Sequence, residues 1–593
     1  MKTLFISKSQ KAWLIALGLF ALSTNAQDNK TEQDSVKTQS SDYKMDEVLV
    51  SAVRVDKKTP VTFTNVSKEE LAPRNLGQDI PVLLNYLPSV VTTTDAGAGI
   101  GYTSMRVRGS DATRINVTVN GIPYNDAESQ GSFWVNMGDF ASSTENIQLQ
   151  RGVGTSTNGA GAFGASLNLL TDAYSKKSSG EISTSVGSFN SMKNTVKFST
   201  GLMNDHFEIA GRLSKIESDG YIDRAFSDLK SYFLQGTYVG KTTLIKALVF
   251  GGKEQTYQAW NGLEDTDKLE NDRTYNSAGE YTDENGVTRF YDNETDNYQQ
   301  DHYQLHWNEK ISDNWSTNAA LHYTIGKGYY EQYRQDEDFA DYGLNEITIG
   351  GETINSTDLI RRRWLENDFY GTTFSANYKN DNVNVIVGGA LNRYEGDHFG
   401  EIIWARYASQ SEIRDRYYDD NAVKTDFNAY AKANWQLNQK LNLFGDMQYR
   451  RVRYKADGVL ADPVNDLFNF FNPKAGLTYT LNNQNNIYFS YARANREPRR
   501  DDYENGSSKP ETLNDFELGW RYTTVKTRMS INGYYMRYKD QLVLTGALND
   551  VGAPVYTNSG DSYRLGIEAD ATFFLTDFLI LHQIGRASCR ERV

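Results

Sequence analysis

From residue 174 onward, apolar and polar side chains alternate one for one along stretch after stretch of the chain. Phe427, Ala429, Ala431, Ala433, Trp435 and Leu437 alternate with Asp426, Asn428, Tyr430, Lys432, Asn434 and Gln436. The same alternation sets Phe516, Leu518, Trp520 and Tyr522 against Asp515, Glu517, Gly519 and Arg521, and Leu565, Ile567, Ala569, Ala571 and Phe573 against Arg564, Gly566, Glu568, Asp570 and Thr572. Successive side chains of a strand point to opposite faces, so each stretch predicts a long strand with one apolar and one polar face. The connections alternate too, from short ones such as 438–440 and 482–486 to long polar ones such as 253–300 and 329–367. Apolar faces for lipid, polar faces for a lumen, and short turns opposite long loops predict a mainly β, transmembrane antiparallel β-barrel over 173–583. A soluble sandwich also alternates, but with shorter strands and a buried apolar face.

Residues 53–172 have a different texture, that of a small α+β domain. The stretch 76–87 puts Ile80, Leu83, Leu84 and Leu87 on one helical face, with Pro88 to end it. Strands are predicted at 105–108, at 115–119 before the Asn120-Gly121 turn, and at 146–150. Ahead of this domain, 27–45 is polar and aperiodic, a flexible tether. Between the two lies Asp46-Glu47-Val48-Leu49-Val50-Ser51-Ala52, an acidic-then-apolar run. On a tether, such an extended segment can be captured by pairing with the edge of another protein's sheet; an ordinary first strand fits the same residues.

The two ends add a route and an anomaly. Lys2, Lys8 and Lys11 precede an apolar stretch from Ala12 to Leu22 and a small-residue exit at Thr24-Asn25-Ala26. This is a secretory signal peptide over 1–26, too short for a spanning helix of roughly 20 residues. An exported chain of 593 residues with mean hydropathy −0.62 reads as soluble unless alternation hides its hydrophobicity. The 38 Tyr and 27 Phe against 10 Pro suit long strands with aromatic rims. A net charge of −14 argues against nucleic acid as a partner. The last ten residues, 584–593, break the alternation, carry Arg586, Arg590 and Arg592 and hold the sole cysteine, Cys589. They are expected to be a non-native, adapter-derived tail, which would leave the barrel short of its C-terminal strands. Without the tail no disulfide or cysteine metal site is available.

Specific motifs lie between these landmarks. Val107-Arg108-Gly109, Asn120-Gly121-Ile122-Pro123, Gln150-Arg151-Gly152 and a glycine-rich run into Leu167-Asn168-Leu169-Leu170-Thr171 follow one another in order. Later come Asn495-Arg496-Glu497-Pro498 and Lys509-Pro510-Glu511-Thr512 through Glu517-Leu518-Gly519. In this order they resemble the plug and barrel of TonB-dependent outer-membrane receptors of the siderophore type, over nearly the whole chain. The resemblance implies a barrel of about 22 strands, incomplete here, with the plug in its lumen. It makes Asp46, Glu47, Val48, Leu49, Val50, Ser51 and Ala52 the TonB box. It also implies that Arg108 and Arg151 of the plug face Glu517 and Glu568 of the barrel, which strand parity independently sets on the polar face. The family layout places 95–104 and 128–139 near the plug apex, where Tyr102, Phe133 and Trp134 are candidate ligand contacts; each could equally pack between plug and barrel.

Other motifs carry blander readings. Gly159-Ala160-Gly161-Ala162-Phe163-Gly164 fits a dinucleotide pattern, but a strand is expected after it where that site needs a helix. Asp283-Glu284-Asn285-Gly286 resembles part of a calcium loop, yet Tyr281 stands at the first ligand position, and a hairpin turn is expected. His302 and His306 share a strand face without a partner set, so no metal and no cofactor is assigned. No nucleophile and base stand out, so no catalytic residue is named. The expected function is energised import of a scarce ligand across the Gram-negative outer membrane. The partners are TonB with its inner-membrane motor, outer-membrane lipid, and an iron-siderophore complex; cobalamin, haem or a glycan are the alternatives within the fold. A passive porin needs neither plug nor coupling peptide, and an outer-membrane hydrolase needs a polar cluster at the rim.

Overall fold

The computed structural model describes residues 54–592 apart from 160, 264–265, 460–462, 549–553 and 577–578. The signal peptide, the tether and the coupling peptide at 46–52 lie outside those residues. Everything described below belongs to one compact unit, Lys44–Val593.

The N-terminal domain is a sheet with short helices around it. Its strands are β1 (Phe63–Ser67), β4 (Ile115–Val119), β5 (Ile122–Pro123), β6 (Thr144–Arg151) and β7 (Ala165–Thr171), in the order β1-β6-β7-β4-β5, with a separate hairpin of β2 (Val90–Thr94) and β3 (Thr103–Val107). The β4 and β7 strands run parallel and the others antiparallel. Every residue of β4 and β7 is buried, as a central pair covered on both sides requires. The predicted helix at 76–87 is shorter than its pattern, a single turn, α1 (Ile80–Leu83). Asp79, extended, stands just before it without a side-chain capping bond, and the Asp79 N–H is already bonded to the carbonyl of Gly99. Ile80, Leu83, Leu84 and Leu87 are all buried, so the apolar face stands although the helix stops early. The 159–164 glycine run leads directly into β7 and no helix follows, which removes the dinucleotide reading.

Around this domain runs a meander of seventeen strands among the described residues, from Ser179–Val186 to Leu579–Arg592. Sequence neighbours pair antiparallel throughout. The strand order brings the last strand beside the first. Ladders join every neighbouring pair from 179 to 592, with register shifts such as those at Arg334/Glu337, Ile360/Arg361 and Gly400/Glu401, and no residue-by-residue ladder joins the last strand to the first among the described residues. The final strand extends through 584–592, the residues expected to be a non-native tail.

Alternation sorts the two faces. In Leu441–Ala456, Asp446, Gln448 and Arg450 are buried toward the plug, while Met447 and Tyr449 are exposed outward. Phe427, Trp435, Leu518 and Ile567 likewise point out, and Asn428, Lys432, Glu517 and Glu568 point in. Short turns such as 311–314, 380–382 and 437–440 lie at one end; 258–294, 339–355 and 497–510 lie at the other. The 24-residue strands Trp315–Asp338 and Ser356–Lys379 span about 80 Å of chain, so their loop ends project well beyond a lipid core of about 30 Å. The Asp283-Glu284-Asn285-Gly286 segment turns a small hairpin in the 258–294 loop, with Asp283 accepting the N–H groups of Asn285 and Val287. No helix among the described residues is long and apolar enough to cross a membrane.

Candidate functional site: the plug in its barrel

Three polar locks hold the plug against the barrel wall, each built from residues far apart in sequence. The first centres on Arg108, in the tight turn after β3, at φ 52. Its backbone N–H donates to the carbonyl of Ser89, and this fixes the turn so that the guanidinium points at the wall. There it donates to Glu517 at 2.5 Å and to both oxygens of Glu568 at 3.0 Å, with its Cζ 4.3 Å from the centroid of the Tyr534 ring. Burial works against the charge, but the two glutamates hold the Arg108 pKa far above the usual arginine value, so it stays ionised. Arg151, at the end of β6, brings its Nε to 3.4 Å from Glu568 and donates to the carbonyl of Pro88. The structure thus brings Arg108, Arg151, Glu517 and Glu568 into one buried group. Thr62 donates to Glu517, and the Val153 N–H donates to Asp515. Gly152 lies at φ 75, and a Cβ there would run into the Asp515 and Glu517 carboxylates.

The sequence reading missed the second lock. Arg114 donates to Glu511 at 2.6 Å and to the carbonyl of Leu542, while Arg496 donates to the other Glu511 oxygen at 2.6 Å and to Thr113. Asp111 is partly buried, which opposes ionisation, but Arg114 and Arg496 beside it bring its carboxyl below the usual range. Glu511 has the strand parity of Glu517, and Arg496 sits in a quoted motif, so the signal was present although no role was drawn from it. The third lock is on the first strands of the barrel, where Asp139 takes Lys193 at 2.6 Å and hydroxyl bonds from Thr195 and Ser214, also at 2.6 Å. Burial again opposes ionisation, but Arg212 and Lys193 bring the Asp139 carboxyl down to about 2.

The plug core is continuous with this wall. Phe140 lies 5.1 Å from Phe250 and 6.2 Å from Phe233, ring centre to ring centre, and all three belong to the cluster that holds the plug interior.

The apex faces the long loops, where the carbonyl of Ala96 accepts the N–H groups of Tyr221 and Ile222. The three candidate ligand contacts fare differently. Phe133 is 42% exposed and faces outward. Trp134 is 2% exposed and packs into the plug core beside Tyr124, which corrects its expected place at a ligand surface: a one-turn helix at Trp134–Met137 rotates it inward. Tyr102 packs edge-on to Trp260 at 5.5 Å and donates its hydroxyl to Asp296, so it bridges plug and barrel. Glu128, behind the apex, meets Tyr454 at 2.6 Å and His398 at 2.7 Å. At the other end, the carbonyl of Lys58 accepts from Asn442 and Thr478, so the plug's N-terminal lead leaves at the mouth of the short turns. His302 stacks on Phe250 at 4.6 Å; among the described residues no group of three or more His, Cys, Asp or Glu is placed to hold a metal ion.

A long-stranded barrel with an apolar outside, filled by a domain ion-paired to its inner wall, is a plugged transmembrane barrel. The family of TonB-dependent receptor plug domains matches residues 55–166, and that of TonB dependent receptor-like β-barrels matches 248–585. The chain belongs to the TonB-dependent receptors, a family of transport receptors of the Gram-negative outer membrane. It is 22% identical over 521 residues to the ferric-pyoverdine 358 receptor of Pseudomonas putida, a match covering 82% of this chain and 60% of that receptor. Among solved structures it is similar to the copper transporter OprC, with TM-score 0.66 and 15% identity over 88% of this chain and 79% of that one. It is also similar to the ferric yersiniabactin uptake receptor FyuA of Yersinia pestis, with TM-score 0.62 and 14% identity over 89% and 79%.

Proposed function

We propose that the protein imports an iron-siderophore complex across the outer membrane, with energy delivered by TonB through residues 46–52. The observation that carries this reading is the pairing of an occluded lumen with a plug whose N-terminal lead leaves at the short-turn mouth, opposite the long loops. The outer membrane has no nucleotide supply, so a plug held by buried ion pairs needs a mechanical partner, and a peptide leading from the short-turn mouth is where that partner would pull. Ligand bound at the apex meets Phe133 and the residues around Tyr102. Tyr102 and Asp296 tie that surface to the barrel wall, a contact through which an occupied apex can change the plug's hold. Arg108, Arg151, Glu517 and Glu568 seat the plug and do not touch ligand. The ferric-pyoverdine relative supports iron-siderophore cargo over cobalamin, haem or glycan.

The test is uptake of 55Fe carried by a panel of catecholate, hydroxamate and citrate chelators in cells expressing the full chain or a 46–52 deletion. Energised uptake of at least one ferric chelate, lost in the deletion while surface binding persists, is expected. Uptake that survives both the deletion and an uncoupler would make the protein a passive pore.

A further inference from the structure

We propose that cargo passes along one wall only, the wall formed by the strands from 295–310 to 416–436, and that the Asn120-Gly121 turn with the 157–159 loop is the part of the plug that yields. This inference rests on the import reading above and specifies its route.

Three cavities follow one another down that wall between plug and barrel. On the strand Arg416–Gln436, Lys424 and Asp426 line the first, Asn428 and Tyr430 the second, Lys432 and Asn434 the third. The neighbouring strand Val383–Ala405 repeats the order, with Asn392 and Tyr394, then Ala390, then Asn384. Their volumes are about 90, 40 and 670 Å³, the last lying among the short turns at 312–316 and 379–381. The narrow middle is therefore the barrier between a loop-side pocket and a wide cavity at the short-turn mouth.

At that barrier the plug presents two short loops rather than its packed core. Asn120 and Gly121 form the two-residue turn between β4 and β5, at φ 54 and 82, the backbone signs that a type I′ hairpin requires. Across from them stand Ala320, Thr373, Ser375 and Ala390, which are small and neutral. The adjoining 157–159 loop touches the barrel through Lys432 to Thr157 at 3.3 Å and Gln448 to the carbonyl of Gly159 at 3.2 Å, and it is anchored just ahead of them at Ser156, which donates its N–H to Asp446 at 2.8 Å and accepts from Lys474 at 2.5 Å. The adjoining wall, on the strands that carry Lys193, Phe233 and Phe250, is filled: Phe140 is packed between Phe233 and Phe250, and Asp139 is locked by Lys193. Opening a passage there means breaking a close-packed core and a buried ion pair, whereas enlarging existing voids displaces two loops.

Replacing Cys589, the sole cysteine of the chain, with Ser gives a thiol-free background. Single substitutions Thr373→Cys and Asn428→Cys then report on the proposed lane, and Thr237→Cys, buried on the adjoining filled wall, is the comparison. Labelling by a small charged methanethiosulfonate is followed in cells supplied with the 55Fe-chelate panel, with and without an uncoupler. Lane thiols are expected to react at least tenfold faster in energised cells, Thr237→Cys is expected not to change, and a bulky adduct on the lane is expected to stop uptake with surface binding intact. A second variant, G138C/S231C, ties plug to the adjoining wall; a Cβ at Gly138 would lie 3.9 Å from that of Ser231, within disulfide range. Uptake should survive that bond. Energised labelling at Thr237→Cys without labelling of the lane, or uptake abolished by the 138–231 disulfide while binding persists, would overturn the route. Absence of energised uptake in the cysteine-free chain would count against import itself and take the route with it.

Discussion

Arg108→Ala tests the seating of the plug most directly. The side chain is wholly buried, and it makes three charge-assisted hydrogen bonds to Glu517 and Glu568, at 2.5, 3.0 and 3.0 Å. Truncation leaves two buried carboxylates with Arg151 as the remaining cation, 3.4 Å from Glu568. Breaking one side of a buried pair costs roughly 3–5 kcal/mol, because the stranded charges keep their desolvation penalty. Backbone conformation offers an internal control. Arg108 sits at φ 52, where a side chain costs about 1–2 kcal/mol that glycine avoids. Arg108→Gly should therefore be less destabilising than Arg108→Ala by about 1 kcal/mol, although both remove the guanidinium. Adding Glu517→Gln and Glu568→Gln to Arg108→Ala should restore part of the loss by removing the stranded charges. The assay is denaturant unfolding of the plug in detergent, followed by tryptophan fluorescence, with protease sensitivity as a second readout. If Arg108→Ala unfolded within about 0.5 kcal/mol of the parent, the size assigned to surface changes, the lock would not hold the plug. If it also abolished ligand binding, Arg108 would belong to the ligand site.

Three further outcomes are expected. Burial pushes the Asp79 carboxyl up to about 8, above an unfolded value of about 3.9, so the folded state holds its proton more tightly. The resulting stabilisation is complete below about pH 4 and lost as pH rises through about 8; Asp79→Asn, which keeps an acceptor for Thr103, should flatten plug stability against pH over that window and raise it at pH 8 in calorimetry. Gly152→Ala should destabilise the plug by at least about 2 kcal/mol in the denaturant assay, because its Cβ meets the Asp515 and Glu517 carboxylates at a positive φ. Phe133→Ala should change stability by less than about 0.5 kcal/mol while weakening chelate binding, and Trp134→Ala should cost about 3–5 kcal/mol of plug stability, as measured by unfolding and 55Fe-chelate titration side by side.

The barrel was legible because its code is local. A period of two decides whether Phe427 or Asn428 meets lipid, and no distant residue can reverse it without slipping the whole strand. The inward parity of Glu517 and Glu568 came from the same rule. Which cation each would meet did not, because Arg108 lies 409 positions from Glu517 and 460 from Glu568. The Arg114–Glu511–Arg496 lock passed unnoticed for the same reason: its parity was readable, its convergence was not. In the plug, periodicity found the buried face of 80–87, but the bond from Asp79 to Gly99 decided where the helix begins. Trp134 and Phe133 are adjacent in sequence with opposite exposure, set by a single turn of 3₁₀ helix that no composition signal marks.

The shared aromatic core has a consequence for exchange between receptors. Phe233 and Phe250 belong to the barrel, yet they complete the hydrophobic interior of the plug around Phe140. A plug grafted into a foreign barrel would leave its ion-pair partners on the old wall and also arrive with one side of its core unfilled. Chimeras that respect the boundary between 171 and 179 should fail unless positions 233 and 250 travel with the plug, so the inheritable module is the domain together with the patch of wall that finishes it.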